Sequence, residues 1–314
     1  MRILALAATV LILAGCPSSP FGPAQQNASQ DIPRTLIVGG VERTFLLYVP
    51  PQAENATAAN PLPVVFAFHW AQGTAAGMSN VTGFDDIAAR EGFIVVYPEA
   101  IDGLWSDLRP GANPDTDDVA FIRAILNDLR GAYPIDARRI YATGLSAGGH
   151  MCSFLAFRTH HEIAAIAPVA ALLAQPLAVL GAVVPPDSMP ILTIAGTEDP
   201  IQFYDGGVVL SRGVTLSADD TVAFWVNVNN ATTPPDTFDL PDSDPADGTI
   251  THVRHYPPPA AGSGAEVRFF SVEGGGHTWP GGPQYLPLSV VGPVSRDFSA
   301  SEEIWSFFSR HSLP

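Results

Sequence analysis

The chain of 314 residues reads as an α/β protein built on a doubly wound, mostly parallel sheet with an antiparallel hairpin at its N-terminal edge. Three observations predict this. Six apolar runs, at 63–68, 93–97, 140–143, 163–169, 191–194 and 267–270, are too continuous to be one-faced, which suits parallel strands covered by helices on both sides. Helical patterns alternate with these runs along the chain. The segments 34–38 and 41–49 flank Gly39-Gly40, a pair suited to a two-residue turn at positive φ, and so read as the hairpin.

Taken in order, the chain opens with Met1-Arg2 and an apolar run at 3–14 that ends in Gly15-Cys16. The run is too short to cross a bilayer and fits the core of a secretory signal. Leu13-Ala14-Gly15-Cys16 resembles a bacterial lipoprotein signal, in which cleavage precedes a cysteine that becomes lipidated; ordinary secretion with a small-residue cleavage site is the alternative. Residues 17–29, rich in Pro, Ser, Asn and Gln, read as a flexible tether. The expected organisation is therefore a lipoprotein-type signal at 1–15, a tether at 16–32 and one folded domain at 33–314. Localisation follows as exported, at the cell envelope or secreted, with the membrane reached through the lipid alone.

Within the domain, Val119, Ile122, Ile125, Leu126 and Leu129 recur at helical spacing behind Asp117 and Asp118, which suit an N-terminus. Helices are also expected at 150–157, 217–228 and 300–310. The segment 234–265 is dense in Pro, Asp, Gly and Ser; 249–256 alternates like one further strand, with His252 and His255 on its surface. Asp236, Asp239, Asp242, Asp244 and Asp247 resemble a calcium loop in composition only, lacking the glycine and terminal glutamate of an EF-hand, and no metal or cofactor is expected.

Cys16 and Cys152 are the two cysteines. A lipidated Cys16 leaves Cys152 without a disulfide partner, and it reads as a small buried apolar residue. All 15 basic residues are arginine, and the formal net charge is −16. Such a surface repels phosphate backbones, and no basic stripe interrupts it, so nucleic acid is not expected as a partner.

Chemistry is carried by three short stretches. Gly144-Leu-Ser-Ala-Gly-Gly149 lies between a β-rich run and a helical one, which places Ser146 at a strained strand-to-helix turn. Asp199 follows the apolar run 189–195, and His277 follows 267–272. Catalytic groups in open α/β sheets gather at the carboxyl ends of strands, and Ser, Asp and His occur in the chain order of an α/β-hydrolase triad. Ser146 would attack an ester carbonyl, His277 would carry its proton, and Asp199 would fix the imidazole tautomer. Backbone N–H groups of Ala147 and of Trp70 or Ala71 are the candidate oxyanion donors.

The Ser146 turn, Gly196-Thr-Glu-Asp-Pro200 with Tyr204-Asp-Gly-Gly207, and Glu273-Gly-Gly-Gly-His-Thr-Trp-Pro-Gly281 resemble the secreted α/β-hydrolase esterases that include polyhydroxybutyrate depolymerases and feruloyl esterases (LpqC-like). The stretches 84–88, 92–98, 105–107 and 117–123 extend the resemblance, which runs from about residue 33 to the C-terminus. The chain departs from the family where His-Gly usually follows the oxyanion-loop strand, having His69-Trp70-Ala71-Gln72-Gly73 instead. The resemblance implies an α/β-hydrolase fold and a serine esterase acting on feruloyl, acetyl or hydroxyalkanoate esters, small or polymer-linked. Trp70, Trp105 and Trp279 are candidate walls of the acyl pocket, with core packing as the alternative for each. An acyltransferase with the same triad, or a catalytically silent binding lipoprotein on this scaffold, remains as the other reading. Nothing in the sequence bears on the oligomeric state.

Overall fold

A computed structural model describes residues 31–314 apart from 112–115, 160, 185 and 211. The signal, Cys16 and nearly all of the tether lie outside the described residues. Asp31–Pro314 forms one compact unit.

The unit begins with the hairpin of β1 (Ile32–Val38) and β2 (Val41–Tyr48), turning through Gly39 and Gly40 at φ of 59° and 83°. It continues through β3 (Leu62–Phe68), α1 (Ala75–Thr82), α2 (Phe84–Glu91), β4 (Ile94–Pro98), α3 (Asp118–Ala132), β5 (Ile135–Leu145) and α4 (Ala147–Arg158). Then come β6 (Ala165–Val169), α5 (Gln175–Val183), β7 (Ile191–Gly196), a two-residue ribbon of β8 (Gly207–Val208) and β9 (Val214–Thr215), and α6 (Ala218–Val228). The chain ends with β10 (Asp236–Asp239), β11 (Ile250–Tyr256), β12 (Val267–Glu273), α7 (Leu288–Val291) and α8 (Ala300–Phe308).

Ten strands form one sheet in the order β1-β2-β4-β3-β5-β6-β7-β12-β11-β10. It is parallel from β4 through β12 and antiparallel at both margins. This is the α/β-hydrolase arrangement. The far margin corrects the expectation of one strand in 234–265, because there are two. The residues Asp-Thr-Phe-Asp of β10 are all exposed, so the strand is held by its ladder to β11 and carries no burial signal in the sequence.

Helices cover both faces. Along β3, Leu62, Val64, Phe66 and Phe68 join one apolar layer with α3, α4 and α6, while Val65 and Ala67 join the other with α1, α2 and α8. A strand buried on both sides accepts apolar residues at every position, which is why the central runs do not alternate.

A buried ion pair ties the layers together near the site. Arg43 of β2 donates to Asp118 Oδ1 at 2.6 Å and lies 4.0 Å over the Phe121 ring; Asp118 Oδ2 accepts the Ser106 N–H at 2.7 Å. The start of α3 and the loop after β4 are thereby fixed to the sheet. Cys152 is free and buried in α4, and burial pushes its thiol well above the usual range, which leaves it a packing residue.

Candidate active site

Ser146 stands between the last residue of β5 and the first of α4, with φ 57° and ψ −115°. A non-glycine residue held there is strained, and only surrounding structure can keep it so. Two glycines show how close that structure comes. A Cβ on Gly144 would sit 2.5 Å from the Gly148 carbonyl carbon and 2.8 Å from the Phe68 oxygen, and one on Gly148 would collide with Phe68 O. The end of β3 therefore presses on the first turn of α4. Ser146 N–H donates to Val169 O at 2.9 Å, which fastens the turn to β6, and the N-terminal position of Ala147 in α4 leaves its N–H without an intrahelical acceptor.

Asp199 and His277 are brought together across two loops. His277 Nδ1 lies 2.7 Å from Asp199 Oδ2, both side chains being buried. Asp199 Oδ1 accepts the N–H groups of Ile201 at 2.8 Å and Gln202 at 2.7 Å, so the carboxylate has only acceptor roles. Nδ1 therefore carries a hydrogen and donates it to Asp199, and Nε2 is turned away from the acid. The backbone of His277 is held at both ends, its N–H donating to Val291 O at 2.5 Å and its carbonyl accepting the Tyr285 hydroxyl at 3.0 Å. Ser146, Asp199 and His277 follow β5, β7 and β12, three parallel strands of one sheet, and so emerge on the same edge.

The loop after β3 is more constrained than its sequence indicates. His69 is fully buried; its Nε2 accepts the Ala100 N–H at 3.1 Å, and its Nδ1 lies 2.7 Å from Trp70 O. Since Nε2 accepts, Nδ1 bears the hydrogen and donates to the Trp70 carbonyl. Burial pushes the His69 imidazole below its ordinary range, keeping it neutral. The Trp70 carbonyl also accepts the Gly73 N–H at 2.9 Å, and Gln72 N–H is taken by Gly103 O at 2.9 Å. Two donors thus fix the Trp70–Ala71 peptide plane, and because that peptide is trans the Ala71 N–H points away from them. In the sequence His69 stands out only as part of the candidate oxyanion loop, with no role of its own. The tautomer and the pinned carbonyl depend on Ala100, thirty-one positions away, and no local pattern announces them.

The three tryptophans divide. Trp70 is half-buried, its ring 4.6 Å from that of Tyr285 and packed over Gly73 and Gly77. Trp105 and Trp279 correct the expectation of pocket walls, since both are core residues with 0% and 1% exposure. Trp105 Nε1 donates to His69 O at 2.9 Å and its ring meets Phe68 edge-on. Trp279 Nε1 donates to Ser301 Oγ at 3.0 Å, beside Phe84. An indole finds its single acceptor in a core as readily as at a surface. Of the aspartates of 234–265, Asp239 pairs with His252, and Asp247 accepts the N–H groups of Thr249 and Arg296.

The sequence model of the esterase PHB depolymerase family matches residues 43–211. NocK of Nocardia uniformis subsp. tsuyamanensis, assigned as an esterase, is 31% identical over 91% of this chain and 86% of its own length. Feruloyl esterase B of Piromyces equi is 29% identical over 57% of this chain, which covers 34% of that larger protein. Among solved structures, an acetyl xylan esterase from Aspergillus awamori superposes with a TM-score of 0.58 at 15% identity, covering 88% of this chain and 99% of the other, a likeness of fold. Among the described residues no helix is long and apolar enough to cross a membrane. The chain belongs to the esterase PHB depolymerase family and is a carboxylic ester hydrolase on the α/β-hydrolase fold.

Proposed function

We propose that the chain hydrolyses its esters through an acyl-enzyme on Ser146, with His277 as the general base and acid and Asp199 holding the imidazole. The observation that carries this reading is the buried 2.7 Å contact between His277 Nδ1 and Asp199 Oδ2, which turns Nε2 away from the acid, as a general base at the edge where Ser146 emerges requires. Ser146 Oγ loses its proton to Nε2 as it forms a bond to the ester carbonyl carbon. The carbonyl oxygen takes the negative charge, and collapse expels the alcohol, which receives the proton from His277. Water repeats the sequence and releases the acid. Ala147 N–H and Ala71 N–H are the proposed oxyanion donors; Ala71 replaces Trp70 as the better second candidate because its N–H is turned away from the bonds that pin the Trp70 carbonyl.

Feruloyl, acetyl or hydroxyalkanoate esters, free or polymer-linked, are the proposed substrates, supported by the relatives named above. Export with a lipid on Cys16, or as a secreted protein, rests on the sequence of residues 1–16. Labelling by a fluorophosphonate, lost in Ser146→Ala, tests the nucleophile; the same variant should lose on the order of 10⁶ in kcat. An unlabelled but folded wild-type protein would remove Ser146 as the nucleophile.

A further inference from the structure

Asp199 heads a turn that reaches the protein interior at one point. From Pro200 to Val208 every residue is exposed or half-buried except Gln202, which is 2% exposed. The proposed acid depends on that point, because Asp199 Oδ1 accepts the Gln202 N–H at 2.7 Å beside that of Ile201, while Oδ2 faces His277 Nδ1. Whatever fixes Gln202 therefore fixes the carboxylate.

The Gln202 side chain is held at both ends. Its Nε2 donates to Thr215 Oγ1 at 2.8 Å, and its amide is also hydrogen-bonded to the His150 imidazole. The N–H₂ group is turned to Thr215, which puts the carbonyl oxygen toward His150 and makes the imidazole the donor. Both anchors belong to other elements. Thr215 lies in β9, which bridges to Ala174 in the chain after β6, while Leu216 N–H donates to Leu173 O at 2.9 Å. His150 lies in α4, one turn beyond the nucleophile, its N–H donating to Ser146 O at 3.0 Å. Burial and the nearby Arg109 keep the His150 imidazole neutral. An amide costs more to bury than an alkyl chain and remains only where its ends are bonded. What those bonds add is direction, which an apolar side chain would leave loose.

We propose that Gln202, held by His150 and Thr215, is a positioning residue for Asp199, a buried strut that joins the helix starting at the nucleophile to the turn carrying the acid. This role rests on Asp199 being the acid of the proposed triad. As Ser146 attacks, His277 becomes an imidazolium, and Asp199 stabilises it only while Oδ2 stays in line with Nδ1. Loss of the strut therefore weakens an interaction made in the transition state and not in the substrate complex, which lowers kcat and leaves KM in place.

Gln202→Met keeps the length of the side chain and removes both of its bonds. On p-nitrophenyl butyrate kcat should fall about tenfold, the size of one or two hydrogen bonds, with KM unchanged. A residue that only supports the fold would lower the melting temperature without that split between kcat and KM. The second measurement adds Gln202→Met to Asp199→Asn: with the acid gone the strut has nothing to position, and the double variant should turn over at the rate of Asp199→Asn alone. Thr215→Val, which keeps the shape and removes only the acceptor of Nε2, should repeat the pattern at about fivefold, and it takes the place of Gln202→Met if that protein does not fold. An unchanged kcat in the folded variants, or a further tenfold loss on top of Asp199→Asn, overturns the strut while the triad stands. A loss below tenfold in Asp199→Asn itself overturns the triad reading, and the strut with it.

Discussion

Replacing His69 with phenylalanine keeps a buried ring of similar size but removes both ring nitrogens. Two bonds go with them: the one that Nδ1 donates to Trp70 O and the one that Nε2 accepts from Ala100 N–H. The orphaned Ala100 N–H should cost about 1–3 kcal/mol of stability, the penalty for a buried unsatisfied donor. The catalytic effect has a separate bound. With only Gly73 N–H left on its carbonyl, the Trp70–Ala71 peptide is free to rotate. Loss of one oxyanion donor costs about 10²–10³ in kcat, with little change in KM because the donor acts on charge that develops in the transition state. His69→Asn separates the two effects, since its amide N–H₂ stands near the place of Nδ1 and can again donate to Trp70 O while leaving Ala100 unpaired. Steady-state kinetics on p-nitrophenyl butyrate, alongside thermal unfolding, should show kcat collapsing in the phenylalanine variant and largely returning in the asparagine variant, with the melting temperature lowered in both. A phenylalanine variant with kcat within about twofold of wild type, or an asparagine variant no better than it, would refute the argument that His69 positions the loop.

Asp199→Asn should lower kcat by roughly 10⁴, because an amide hydrogen facing Nδ1 favours the wrong tautomer; kinetics showing a loss below tenfold would remove Asp199 from the proposed triad. Trp70→Gly should shift the optimum in kcat/KM toward bulkier acyl groups by opening the space in front of Tyr285, and an unchanged profile from acetyl to octanoyl esters would place the pocket wall elsewhere. Arg43→Ala leaves Asp118 charged and buried and should destabilise the fold by about 3–5 kcal/mol in denaturant titration. Acid should weaken the fold in two windows. His69 and His150 are depressed from their usual 6.5 by burial, so the stability they hold above pH 6.5 falls as the unfolded chain takes up protons below it. Asp31, raised to about 6 by burial and Asp85, works in the opposite direction, because the folded chain takes up its proton first. Glu266 is lowered to about 2 by His311 and Arg310 against the penalty of its burial, so its contribution, complete above 4.5, is lost between pH 4.5 and about 2. A melting temperature flat from pH 7 to 5 would contradict the first window.

The central strands and the three loops that follow β5, β7 and β12 were legible because their signals are local: runs apolar on both faces, and a polar residue just past the end of each. What was not legible depends on distant partners. The helix α5 is apolar along most of its length, so no periodicity marks it, and α1, with Gly77 and Ser79 in it, offers little pattern either. Strand β10 reads as acidic loop because pairing holds it. Trp105 and Trp279 could be placed at a wall or in the core with equal reason, since the acceptors of their N–H groups, His69 O and Ser301 Oγ, are chosen by the fold. The role of His69 emerges only when the loop after β3 meets the segment after β4.

The contact of Phe68 with Gly148 has a consequence for how such an enzyme can diversify. It locks the nucleophile turn and the loop after β3 into one rigid block, where even a methyl group does not fit. Variation is left to the largely exposed stretches at 203–210 and 286–290, which carry Phe203, Val208, Leu210, Leu286, Leu288 and Val290 on the surface. An ancestral chain could therefore acquire new ester preferences by lengthening or recolouring these two segments while the block stays untouched. Insertions there should be tolerated in a laboratory library, whereas a single added carbon at position 148 should not.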